Sequence, residues 1–162
     1  MSALSEYSVR KAAYLLGVLR RVGLDLKIDS FDRRLKIQKI VYMLQLHPEF
    51  ERYLGYSYSL FIRGPYSPDL AHLYYNIPEG LEPEEINLSE EALKYGREII
   101  SWNNSFLEIA ATLIEAIKIN RGRPIEEIME HVASLKPSYR LEEIRHALNK
   151  AMRLKRTYGL KF

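Results

Sequence analysis

From Tyr58 to Leu70 the chain leaves its backbone very little freedom. The run Tyr58-Ser59-Leu60-Phe61-Ile62 is aromatic and β-branched, the composition of an extended strand. Gly64-Pro65 follows as a rigid turn, and Ser67-Pro68-Asp69 then opens a helix. Ser67 supplies an N-cap oxygen and Pro68 sits at N1, where its missing N–H costs nothing. Asp69 places negative charge at the positive end of the helix dipole. So much fixed geometry in one segment predicts a conformation that presents a surface. A short helix to about Tyr75 is expected beyond it.

The rest of the chain reads as amphipathic helices. Residues 5–22 carry Val9, Ala12, Ala13, Leu16 and Leu19 along one face, with Ser5 as N-cap and Gly23 as stop. Asp29 or Ser30 caps a second helix, 30–46, with Ile37, Ile40, Val41 and Leu44 as its buried stripe and Pro48 as its end. Residues 57–62 are the predicted strand, and 76–88 are a loop whose end, Ile86–Leu88, could pair with 58–62. Ser89 caps a helix toward Trp102. Helices at 104–119, about 125–135 and 141–155 follow, the last turning Leu141, Ile144, Leu148, Ala151 and Met152 inward. The expected fold is mainly α: one domain over residues 1–162, about six to seven helices and one small β element.

Composition excludes several functions. There is no cysteine, so thiol catalysis, disulfides and thiolate metal sites are out, and a reducing cytoplasm is the expected setting. Only two glutamines stand among many Glu, Lys and Arg, a thermophile-like balance. No apolar run approaches the roughly 20 residues of a spanning helix, and the N-terminus does not read as a secretory signal. His47, His72, His131 and His146 show no tight ligand spacing, so no metal site is expected. G-x-S-x-G, Walker and dinucleotide motifs are all missing from the sequence. An enzyme is therefore the least supported class, and neither catalytic residues nor a cofactor are assigned.

Two constellations suit binding. Tyr53, Tyr56, Tyr58, Tyr66, Tyr74 and Tyr75 are half of the twelve tyrosines, gathered around the turn. Tyrosine combines large apolar area with one polar handle, as recognition surfaces favour. Arg63, Gly64, Pro65, Tyr66, Tyr74 and Tyr75 are the expected partner-binding residues. Arg33, Arg34, Lys36 and Lys39 form an expected basic surface on the solvent side of helix 30–46, suited to an acidic protein or to phosphates. The net charge of +3 is unevenly spread: residues 1–46 hold nine Lys/Arg against four Asp/Glu, residues 47–100 four against ten, and residues 101–162 eleven against seven. An alternative reading is a DNA- or RNA-binding regulator. Helices 125–135 and 141–155 then form a helix-turn-helix with a wing at 157–162. The acidic helix starts, Glu126-Glu127 and Glu142-Glu143, count against it.

Two motifs together carry a resemblance. Leu35-Lys36-Ile37-Gln38-Lys39-Ile40-Val41-Tyr42 and, some twenty residues on, Tyr58–Ile62 running into Arg63-Gly64-Pro65-Tyr66-Ser67-Pro68-Asp69-Leu70 resemble the helix and strand motifs of the Panacea domain family (the SocA-like and YwgA-like group). The resemblance covers residues 1–100, with 101–162 as further helices packed on that part. It implies a small cytoplasmic helical domain, commonly an antitoxin, that acts by contact with a toxin, sometimes delivering it to a protease. It implies no catalytic residue and no cofactor. The positions it carries over are Gln38, Lys39 and Tyr42 on the helix and Gly64 and Pro65 at the turn. Arg63 stands where many members carry an aromatic residue. Lys or Gln side chains at the motif can tie the carbonyls of the turn to the helix.

Overall fold

The computed structural model describes residues 4–61 and 64–162. Among these it has eight helices and one two-stranded sheet, the mainly helical architecture that the periodicity predicts. The helices are α1 (Glu6–Val22), α2 (Phe31–Leu44), α3 (Pro48–Glu51), α4 (Pro68–Tyr75), α5 (Glu90–Ser101), α6 (Asn104–Ile119), α7 (Ile125–Leu135) and α8 (Leu141–Tyr158). The strands are β1 (Ser59–Phe61) and β2 (Gly64–Tyr66).

Most helix starts are local events. Ser5, Ser30, Ser67, Ser89 and Asn103 each accept a hydrogen bond from the backbone N–H three residues on. Between the two candidates for α2, Ser30 is the cap, and Asp29 instead pairs with Arg33 at 3.3 Å. Helix α6 is the hub of the fold. One side packs on α2 and the hairpin, and another on α7 and α8. A contiguous apolar core runs through all of these, from Ala12 and Leu15 to Leu154 and Phe162. No helix among the described residues is long and apolar enough to cross a membrane.

Several expectations need correction. Pro48 does not end α2, which stops at Leu44 with Gln45 as its cap; Pro48 instead opens α3 at a position that suits proline, with His47 as N-cap. This extra helix accounts for eight where six to seven were expected. Gly64-Pro65 is not the turn but part of β2, which runs antiparallel to β1 with Ser59 opposite Tyr66, Leu60 opposite Pro65 and Phe61 opposite Gly64. The predicted strand 57–62 is accordingly shorter, and its partner is not Ile86–Leu88. That segment stays irregular, with Ile86 buried in the core and the Asn87 backbone tied to the Tyr53 hydroxyl.

At the far end, α8 continues to Tyr158, and no wing forms. Leu160 and Phe162 drop into the core, and Lys161 N–H bonds the carbonyl of Leu46. Leu141, expected inside, is exposed, because it starts α8 beside the Arg140–Glu143 capping box rather than under α6.

Candidate partner-binding groove

Helix α2 holds the hairpin through its two glutamines. The side-chain amide of Gln38 donates to the carbonyl of Ser67 at 3.0 Å and accepts from its N–H at 2.9 Å. Gln45 does the same for Tyr56, donating at 2.8 Å and accepting at 3.0 Å. Each amide thus stands in for a strand partner, closing both hydrogen bonds of one backbone residue. Tyr56 precedes β1 and Ser67 follows β2, so the hairpin is clamped at both ends.

On its other side the hairpin rests on α6. Gly64 has φ +102, a conformation reserved for glycine, and a methyl placed there would lie 3.2 Å from Thr112 Oγ1. Gly64 and Pro65 are consequently buried between α2 and α6.

Between the clamped hairpin and the first half of α2 lies an apolar groove of about 420 Å³. Phe31 and Leu35 form its α2 wall, Phe61, Pro65 and Tyr66 its hairpin wall, and Gln38 and Lys39 lie along its length. Phe31 is 55% exposed and Phe61 54% exposed, and the Phe61 ring meets Tyr66 edge-on at 5.7 Å. Among the exposed large apolar side chains, these two phenylalanines stand together at the rim of one apolar groove.

The sequence-derived candidates distribute unevenly around this groove. Tyr66 is half-buried and forms part of its wall. Tyr74 was expected to contact a partner, but it is buried, with its hydroxyl toward Gln38 at 3.5 Å and burial raising that hydroxyl to about 12. Tyr75 is exposed, and the Arg34 guanidinium lies 6.0 Å from its ring. Arg63 lies outside the described residues.

Of the basic surface, Arg33 is exposed and Lys36 half-exposed, while half-buried Arg34 donates to the Ile28 carbonyl at 2.9 Å. Lys39 is corrected from solvent to interior, being only 4% exposed. Its charge acts on Glu108 of α6, which also bonds Lys136 at 2.9 Å. Burial alone would raise the Glu108 carboxyl. The bonds from Lys136 and Tyr139, with the charges of Lys136 and Lys39, bring it below the usual carboxylate range instead.

Tyr42 of the motif is core: its hydroxyl donates to buried Glu115 at 3.3 Å and its ring meets Tyr58 edge-on at 5.0 Å. Burial, then the Glu115 charge, pushes the Tyr42 hydroxyl well up. Among the motif positions, then, Gln38, Tyr42 and Gly64 build the scaffold, and the groove is what they leave open. Among the described residues no three of His, Asp or Glu gather as metal ligands.

Phe31 and Phe61 were not among the expected binding residues. The available signal was an aromatic residue directly after the Ser30 cap, where first turns are normally polar. Phe61 sat within the strand, where core packing explains it equally well.

No family model, curated protein or solved structure matches this chain.

Proposed function

We propose that this chain is a cytoplasmic, non-enzymatic protein-binding module that takes an apolar anchor of a partner protein into the α2–hairpin groove. The observation that carries this reading is the pair Phe31 and Phe61, exposed on facing walls of an apolar groove whose backbone is held rigid by Gln38 and Gly64. Preformed apolar clefts with aromatic rims are where binding energy concentrates at protein interfaces. The resemblance to the Panacea domain family supports an antitoxin-like role, with a toxin or a protease-delivered client as partner.

The nucleic-acid reading has less support. Arg145 pairs with Glu126 at 3.2 Å and Arg153 with Glu98 at 2.7 Å, so two of the cations that α8 would offer to phosphates already have partners. Lys39 is withdrawn from the surface of α2.

The test is affinity capture from host lysate, with and without nuclease, using wild type and Phe31→Ser/Phe61→Ser side by side. A stoichiometric protein held by wild type and lost by the variant is expected. Equal capture by both would remove the groove from the interface, and enrichment that nuclease abolishes would favour nucleic acid.

A further inference from the structure

A second pocket, of about 370 Å³, opens where α1, the loop after α3 and α4 meet, and it shares no lining residue with the groove. Its polar groups converge from all three elements. Tyr7, Ser8 and Lys11 lie at helical spacing on one face of α1, Tyr56 comes from the loop, and Asp69 and His72 lie a turn apart on α4. A volume of this size is at the lower end of small-molecule pockets.

The charges in it are arranged unusually. The Lys11 ammonium sits 4.3 Å from the centre of the Tyr56 ring and 5.9 Å from that of Tyr7. Burial holds its pKa below the ordinary lysine value, while the nearby Asp69 charge pulls the other way. Yet no ion pair joins them, and among the described residues neither Lys11 nor Asp69 takes part in any other. Opposite charges therefore face one pocket within electrostatic reach but beyond direct contact. The hydroxyl of Ser8 accepts from Ser5 Oγ at 3.1 Å, leaving its own proton available to donate.

We infer that this pocket binds a small zwitterion of the free α-amino-acid class, its carboxylate at Lys11 and Ser8 and its ammonium at Asp69. A plain anion drawn to Lys11 meets repulsion from Asp69, and a plain cation drawn to Asp69 meets repulsion from Lys11. A molecule carrying both charges spans the gap and forms a charge-assisted bond at each end. The exposed ring of Tyr7 accepts its apolar part.

The test follows the backbone amides of the full chain by two-dimensional NMR as L-leucine, glycine or L-tyrosine is added. N-acetyl-L-leucine and L-leucinamide, each lacking one charge, are the controls. Saturable shifts at Ser8, Lys11, Gly55, Tyr56 and Asp69 are expected with the free amino acids at millimolar concentration. The two blocked analogues should bind about tenfold more weakly, the loss of one charge-assisted contact. Lys11→Met, which keeps a stem over the Tyr56 ring, and Asp69→Asn should each lose a similar factor. Absence of shifts with all three amino acids overturns the assignment, as does equal binding by either blocked analogue. If a variant fails to fold, the analogue series on wild type decides alone.

Discussion

Gln38 on α2 and Gln45 at its C-cap, two helical turns apart, grip the two ends of a single hairpin in the same way, each using both halves of its amide on one backbone residue. They are the only glutamines in the chain. A two-stranded ribbon of three-residue strands has too few bonds to persist unaided, so these four side-chain hydrogen bonds, with the contact to α6, set where it stands.

Removing one clamp tests this directly. Gln38→Ala strands the N–H of fully buried Ser67, whose carbonyl keeps the Ala71 N–H, and should cost about 1–3 kcal/mol. Gln45→Ala, whose bonds are only part-buried, should cost about half as much. Equilibrium urea unfolding of both variants measures the difference, and equal losses would contradict the ranking.

Gly64 is constrained twice over, by its φ and by Thr112. Gly64→Ala should destabilise by about 1–3 kcal/mol. In Thr112→Ala the nearby hydroxyl is gone but the backbone strain remains, so Gly64→Ala on that background should recover only part of the loss. A double-mutant cycle by thermal melting separates the two causes, and full recovery would assign everything to the Thr112 contact.

Lys136 and Lys39 share one carboxylate, so the two sides of the cluster should respond unequally. Glu108→Gln leaves the interior Lys136 ammonium without its anion, whereas Lys136→Met leaves Glu108 with Tyr139 and the charge of Lys39. The expected cost is about 3 kcal/mol for Glu108→Gln and about half that for Lys136→Met. Denaturant unfolding at neutral pH checks the order.

His47 makes stability depend on mild acid. Its neutral ring accepts the Glu49 N–H at Nδ1 and packs against Phe50, Tyr95 and Tyr158. Burial, opposed by the charges of Glu49 and Glu91, lowers its pKa below the unfolded value of about 6.5. The unfolded chain therefore binds the proton more readily, so this contribution is complete above about pH 6.5 and declines as pH falls toward the lower folded value. Melting temperature should drop across that interval in wild type, and the part of the drop due to His47 should vanish in His47→Gln. An unchanged profile in the variant would assign the dependence elsewhere.

What could be read from the sequence was what is encoded within a few residues. Ser5, Ser30, Ser67, Ser89 and Asn103 each cap a helix through the N–H three positions on, and each start was legible. Pro48 was ambiguous because proline both stops one helix and starts the next. The strand paired with β1 was misplaced because Gly64-Pro65 looks like a turn until its neighbours α2 and α6 are in position. Likewise, the spacing of Lys39 matched an exposed face, and only the approach of α6 with Glu108 makes that position interior. The groove was least legible, since its walls come from Phe31 and Phe61, far apart in sequence and joined only by the docking of the hairpin on α2.

The Gln38 clamp also acts as a spacer. The hairpin stands off from α2 by the reach of one glutamine side chain, and the opening between Phe31 and Phe61 inherits that distance. A shorter amide at position 38 would draw the two walls together, and a longer side chain would wedge them apart. The calibre of the groove thus depends on the length of Gln38, acting with Gln45 and the contact to α6 that hold the rest of the hairpin.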